Sequence, residues 1–211
     1  MSLQNRVDPW GELKSDPSKA ATLMGNRGIL HDAHNTIVRK WAHKGWVFCL
    51  PSFKGIKRPK PFSQGNYSEL FFLDEATAFS AGHRPCAYCQ RKRFQEFKEA
   101  WLKANKAEAN WSSMTMPAID KILHEQRAIR GGGKQIYEAK LSNLPYGTMF
   151  EHEARVYVVG TSANYPWSFD GYGRPMSIDG TCMVKVLTPA SVVLTFSGGF
   201  KPVLHSSVQE G

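Results

Sequence analysis

No run of 18 or more apolar residues occurs in this chain, so no transmembrane helix is expected. Cysteine is scarce: four residues at uneven spacing among 211. That scarcity argues against a disulfide framework and fits a reducing, cytoplasmic setting. No basic stretch followed by an apolar one opens the chain, so no signal peptide is expected. Neither an internal repeat nor a low-complexity tract is present. Gly131-Gly132-Gly133-Lys134 lacks the spacing of a phosphate-binding P-loop and reads as a connector. Ala128, not a second histidine, lies four residues after His124, which excludes the zinc-protease helix pattern of His-Glu-x-x-His. No nucleophile-elbow motif supports a Ser-His-Asp triad.

What is present is enough for a core. Apolar residues make up 42% and aromatic ones 12%, which allows one large domain or two small ones. The formal net charge of +9 is unevenly spread. Residues 1–105 carry 17 Lys+Arg against 9 Asp+Glu, and residues 106–211 carry 10 against 9. A local positive field attracts polyanions by releasing their counterions, so nucleic acid is an expected partner, DNA through its backbone first among them. The plainer alternative is a basic surface that only aids solubility.

The pattern along the chain predicts an α+β fold in two segments, 4–105 and 114–209, able to pack as one unit. Residues 4–24 read as an extended lead-in with little periodicity. A polar turn around Gly28 precedes a short strand at 36–39. Trp46 to Leu50 reads as a buried strand, 51–66 as a basic Pro/Gly loop, and Glu69 to Leu73 as another short strand. Asp74 is placed to cap a helix running to Ser80, with Gly82 ending it in the left-handed conformation. A second helix is expected over 91–104, burying Phe94, Phe97 and Trp101. A third begins near Pro117 and stops before Gly131. Strands are expected within 148–159, 182–187 and 192–196. The aromatic run Tyr165 to Tyr172 is expected to form a satellite core under a loop, and Cys182 to be a buried thiol.

Cys86-Ala87-Tyr88-Cys89 carries the clearest chemistry. Two soft thiolates on one side of a tight turn suit Zn²⁺ but fill only half of a tetrahedral shell. Cys49 is the best third ligand. His83 or His31, with His34 beside it, could supply a fourth, and Cys49 is the candidate catalytic nucleophile. His31-Asp32-Ala33-His34 could instead hold a divalent ion for phosphodiester hydrolysis, or simply cap its own turn. Asn26, Arg27 and Gly28 form either a phosphate-binding turn or a structural one. Lys54, Lys57, Arg58, Arg84, Arg91 and Arg93 are the expected phosphate contacts, the alternative being solvated helix and loop faces.

The stretch Trp46-Val47-Phe48-Cys49-Leu50-Pro51-Ser52-Phe53, then Leu70-Phe71-Phe72, then Ala81-Gly82-His83-Arg84-Pro85-Cys86-Ala87-Tyr88-Cys89 resembles the N-terminal zinc domain of Ada-type DNA alkylation-repair proteins. The likeness covers about residues 45–92. It implies a small α+β module with zinc on four thiolates, and a first cysteine, at the position of Cys49, that takes a methyl group from a DNA phosphotriester. Phe53 stands where that family has its second cysteine, so one ligand is missing. A second likeness, carried by Gly25-Asn26-Arg27-Gly28 and Leu30-His31-Asp32 in combination with the Arg84-Pro85-Cys86-x-x-Cys89 element, is to a group of uncharacterised bacterial proteins and implies no activity. Three functions stay open from these residues: a nucleic-acid-associated protein with a structural or vestigial zinc site, an enzyme acting on alkylated DNA or phosphodiesters, and a ligand-free interaction module.

Overall fold

A computed structural model describes residues 2–56, 60–106 and 113–209. Lys57 and Arg58, among the expected phosphate contacts, lie outside the described residues. The fold is α+β, and the described residues form two six-stranded sheets and four α-helices.

The first sheet takes β1 (Gln4–Val7), β2 (Leu13–Ser15), β3 (Leu23–Asn26), β4 (Val47–Cys49), β5 (Leu70–Phe72) and β6 (Arg84–Pro85), in the order β2-β1-β5-β3-β4-β6. Residues 4–24 are therefore three strands, not a lead-in. Their pairing explains the error: β1 lies parallel to β5, whose sequence is some 65 residues away, and such a partner leaves no local signature. Likewise the strand expected at 36–39 reduces to one bridge between Ile37 and His31.

Gly25 lets β4 approach closely. A Cβ there would sit 2.2 Å from the Val47 carbonyl oxygen. The β3–β4 pair alternates between faces, as strands must. Asn26, Val47 and Cys49 border one side, where a cleft lies. Trp46, Phe48 and Arg27 go to the other side.

Helix α1 (Glu75–Ser80) is capped as its sequence predicts: the Asp74 carboxylate accepts from the Thr77 backbone N–H at 2.8 Å. Gly82 follows with φ +81°, where a Cβ would strike Arg127 at 2.2 Å. Helix α2 (Arg91–Ala104) buries Phe97 and Trp101, while Phe94 is half-buried beneath Arg84. Helix α3 (Met116–Arg127) buries Ile119 and Leu123.

The second sheet takes β7 (Tyr137–Lys140), β8 (Met149–His152), β9 (Arg155–Val159), β10 (Asn164–Ser168), β11 (Gly171–Tyr172) and β12 (Met183–Val186), all paired antiparallel. Tyr165 and Tyr172 do form a satellite core, but on a hairpin of β10 and β11. Cys182 is half-buried at the edge of a third cluster, less enclosed than expected.

Residues 192–196 are helical, inside α4 (Ala190–Ser197), although Val-Val-Leu-Thr-Phe favours a strand. Packing overrides that propensity. Helical spacing sends Val192 and Phe196 into the core under the first sheet and Val193 into the cluster on the second. One core therefore draws Phe79 and Phe97 together with Phe196 and Phe200.

Buried polar bonds add to this joint. The second Asp74 oxygen accepts from the Tyr172 hydroxyl and the His205 backbone N–H, each at 2.9 Å. Burial raises the Asp74 pKa, and these bonds offset only part of the rise.

Candidate metal centre

Two distant segments bring the three cysteines together. Strands β4 and β6 run parallel, with Phe48 opposite Pro85, and the Cys86 N–H continues the ladder to the Phe48 carbonyl at 2.9 Å. Cys49 at the end of β4 thereby lies beside Cys86. The chain then turns tightly ahead of α2. The Gln90 N–H reaches back to the Cys86 carbonyl at 3.1 Å, and the Gln90 side-chain amide donates to the Phe48 carbonyl at 3.1 Å. That turn returns Cys89 to the same spot. All three Sγ atoms lie within 4.8 Å of one another.

The thiols share their protons. Cys86 is brought down to about 5, first by the hydrogen bond it accepts from Cys49 and then by backbone amides, among them the Tyr88 N–H at 3.4 Å. Cys49 is pushed far up by that same bond and by burial, and Cys89 is pushed up by burial. One negative charge, centred on Cys86, is what three crowded sulfurs hold without a cation. The adjacent start of α2 favours it.

A soft cation is the complement of this donor set. Zn–S bonds of about 2.3 Å in tetrahedral array need sulfurs about 4 Å apart, which this spacing fits. A divalent ion among the sulfurs would favour all three as thiolates.

The sulfurs line a cleft of about 410 Å³ that also touches Phe53, Tyr67, Tyr88 and Lys60. Phe53 is half-buried and meets Tyr88 edge-on at 5.3 Å. Lys54 lies over both rings, 5.4 Å from each centroid. The fourth side of the sulfur group therefore faces a cleft with aromatic walls, not another thiol.

The other expected site residues divide. Neither His83 nor His31 joins the sulfurs, which form the only such group among the described residues. His83 is buried on the opposite side of the sheet, where its Nε2 accepts from Arg27 Nε at 3.2 Å and its ring meets Phe72 and Trp46. His31 stacks on Phe62 and shares a 2.6 Å hydrogen bond with Ser68. Asp32 accepts from the backbone N–H groups of His34 and Thr36, so its carboxylate caps its own turn, and the hydrolytic grouping does not assemble.

Among the cations, Arg84 forms a buried two-pronged pair with Asp120 at 2.8 and 2.7 Å. Arg93 pairs with Glu75 at 2.9 and 2.6 Å and donates to the Lys201 carbonyl. These two guanidiniums are committed to the protein, which corrects the expectation that they contact phosphate. Lys54 and Arg91 are exposed. Lys60, exposed beside the cleft, joins them.

Sequence reasoning placed Arg27 in a turn with Asn26 and Gly28 but did not join it to Arg127, each of the two being 2% exposed, or to Lys134 close by. They come from segments up to 107 positions apart and carry no shared spacing. Trp46, which both guanidiniums overlie, was the nearest available signal.

Comparison with family models, with characterised proteins and with solved structures gives no match for this chain.

His83 yields a test of the site's frame. Burial, then the charges of Arg27 and Arg127, hold its pKa well below 6.5, so it is neutral when folded. Below 6.5 the unfolded chain gains a proton that the folded one refuses, and stability falls with falling pH. Each further pH unit is expected to cost about 1.4 kcal/mol from this residue. Urea unfolding of wild type and His83→Gln at neutral pH and near pH 5 measures it. An equal slope in the two proteins would refute the assignment.

Proposed function

We propose that this protein is a nucleic-acid-associated zinc protein. Cys49, Cys86 and Cys89 hold the metal, and the cleft above them receives a segment of single-stranded DNA. The observation that carries the reading is the meeting of three sulfur ligands at the floor of an aromatic cleft bordered by lysines. Bound zinc would keep the sulfurs as thiolates and tie β4 to the turn before α2.

The chain's own residues supply the rest. Tyr88 is 64% exposed and offers a ring face on which a base can stack. Lys54 and Lys60 neutralise flanking phosphates. Arg91 and Lys92 extend the basic strip along a shallow groove beside Cys89. The resemblance to the alkylation-repair zinc domain points the same way.

Fluorescence anisotropy of a labelled oligonucleotide, titrated against salt, tests this reading. Affinity is expected to fall linearly on a log–log plot, and Lys54→Ala with Lys60→Ala to lower the slope by about 1.4, near 0.7 for each phosphate released from a single strand. Absence of binding at low salt, or an unchanged slope, would count against it.

One observation favours a second reading: Cys49 lines the cleft, at the position of the family's methyl acceptor. In that reaction the Cys49 sulfur forms a bond to the methyl carbon of a phosphotriester. The carbon–oxygen bond breaks, and its electron pair stays on the phosphodiester oxygen. Mass spectrometry of wild type and Cys49→Ser after incubation with methylated DNA decides it. A methyl group found on Cys49 alone supports transfer, and none on either protein rejects it.

A further inference from the structure

The far face of the first sheet carries a group of buried cations that the thiol centre does not use. Arg27 and Arg127 are each 2% exposed, and both guanidiniums lie over the Trp46 ring, 4.3 and 4.0 Å from its centroid. Arg127 donates to the Gly82 and Lys44 carbonyls, and Arg27 donates through Nε to His83. Lys134, half-buried, turns its ammonium inward onto the Ser80 carbonyl.

The nearby acids Asp8, Glu12 and Asp120 act on these cations without an ion-pair contact to either arginine. Asp8 accepts from the Glu12 backbone N–H, Glu12 pairs with Lys40, and Asp120 is taken by Arg84. Neither Arg27 nor Arg127 has a carboxylate in ion-pair contact among the described residues. Arg27 Nη2 is buried and finds no hydrogen-bond partner among them, and neither does Arg127 Nε. A buried charged donor left unmatched costs far more than an exposed one, so the chain has reason to fill that position.

Arg27, Arg127, Trp46, Trp41 and Trp10 line a small cavity, with the Lys40–Glu12 pair among its more exposed walls. Its volume is about 20 Å³, counted at the centre of a water-sized sphere. One water needs roughly 10–15 Å³, so the cavity as it stands holds one or two water-sized groups and no nucleotide, and a larger oxyanion must gain room from the exposed Lys40 and Glu12 side chains at its rim.

From this geometry we infer that the cavity is a binding site for a small free oxyanion, held by the Arg27 and Arg127 guanidiniums beside Trp46. Planar guanidinium forks match oxyanions through paired N–H donors, which selects them over a spherical halide. The inference stands apart from the proposed zinc and nucleic-acid function, because Arg27 and Cys49 face opposite sides of the sheet.

Titration calorimetry with inorganic phosphate, at fixed ionic strength in sodium chloride, tests the site on the full chain. Saturable one-to-one binding is expected, at least tenfold weaker in Arg27→Met as long as circular dichroism shows that variant folded. No saturable binding by wild type overturns the inference, and so does equal affinity in a folded Arg27→Met. If Arg27→Met does not fold, crystals of wild type soaked in selenate decide. Anomalous density within hydrogen-bond reach of Arg27 Nη2 supports the site, and selenium absent from that cavity overturns it.

Discussion

A Cys86→Ser variant is expected to lose zinc affinity by about two orders of magnitude or more. Losing a mere outer-shell partner already costs 10–100-fold, and Cys86 is a direct ligand in the proposed centre. It is also the most acidic of the three thiols, because Cys49 and two backbone amides stabilise its charge. Serine offers no comparable anion near neutral pH. Competition with a chromophoric chelator, on protein purified without chelator, gives the affinities. Cys182→Ser is the matched control: that thiol sits at the edge of the cluster on the second sheet, and its loss is expected to leave zinc untouched. Equal metal content in wild type and Cys86→Ser would remove the metal centre from consideration. Acid should release the metal from wild type as well, because protons compete for the same sulfurs.

The second large effect lies behind the site. Asp120→Ala is expected to destabilise the fold by about 3–5 kcal/mol, the usual cost of stripping one partner from a buried ion pair. Side-chain exposures of 11% for Arg84 and 8% for Asp120 place the pair in that class. At roughly 2–4 °C per kcal/mol for a chain of this size, the melting temperature should drop by about 10 °C. The effect should reach the metal too. Arg84 belongs to β6, whose pairing with β4 sets Cys86 beside Cys49, so a loosened Arg84 weakens the geometry of the sulfurs. A joint Arg84→Met and Asp120→Leu change removes both charges and is expected to regain much of the lost stability. Scanning calorimetry of the single and double variants separates the cases. A single variant as stable as wild type would show that solvent, not Asp120, compensates Arg84.

Local chemistry made part of this molecule legible in advance. Asp74, Gly82 and the Phe97–Trp101 spacing announced α1 and α2, because caps and helical faces act within a few residues. The joining of Cys49 to Cys86 and Cys89 followed from ligand chemistry, which needs no local pattern. Distant pairing was not legible. Strands β1 to β3 are three or four residues long; β1 and β3 gain their place from β5, far along the chain, and β2 follows by pairing with β1. The same blindness misassigned the arginines. Arg84 and Arg93 look like surface charges until Asp120 and Glu75 are seen opposite them. Arg27 was read within a turn, yet its surroundings come from 8, 12, 46, 83 and 127.

The alternation along β3 and β4 also limits how this chain can change. With Asn26 and Cys49 directed to one side and Arg27 and Trp46 to the other, the two chemistries are kept apart by parity alone. Substitution can retune either side separately. Removing or adding one residue within Trp46 to Cys49 would instead bring both to the same face, sending either the sulfur toward the arginines or the indole toward the cleft. Viable descendants of this sequence should therefore keep the length of that short segment fixed even where its side chains drift.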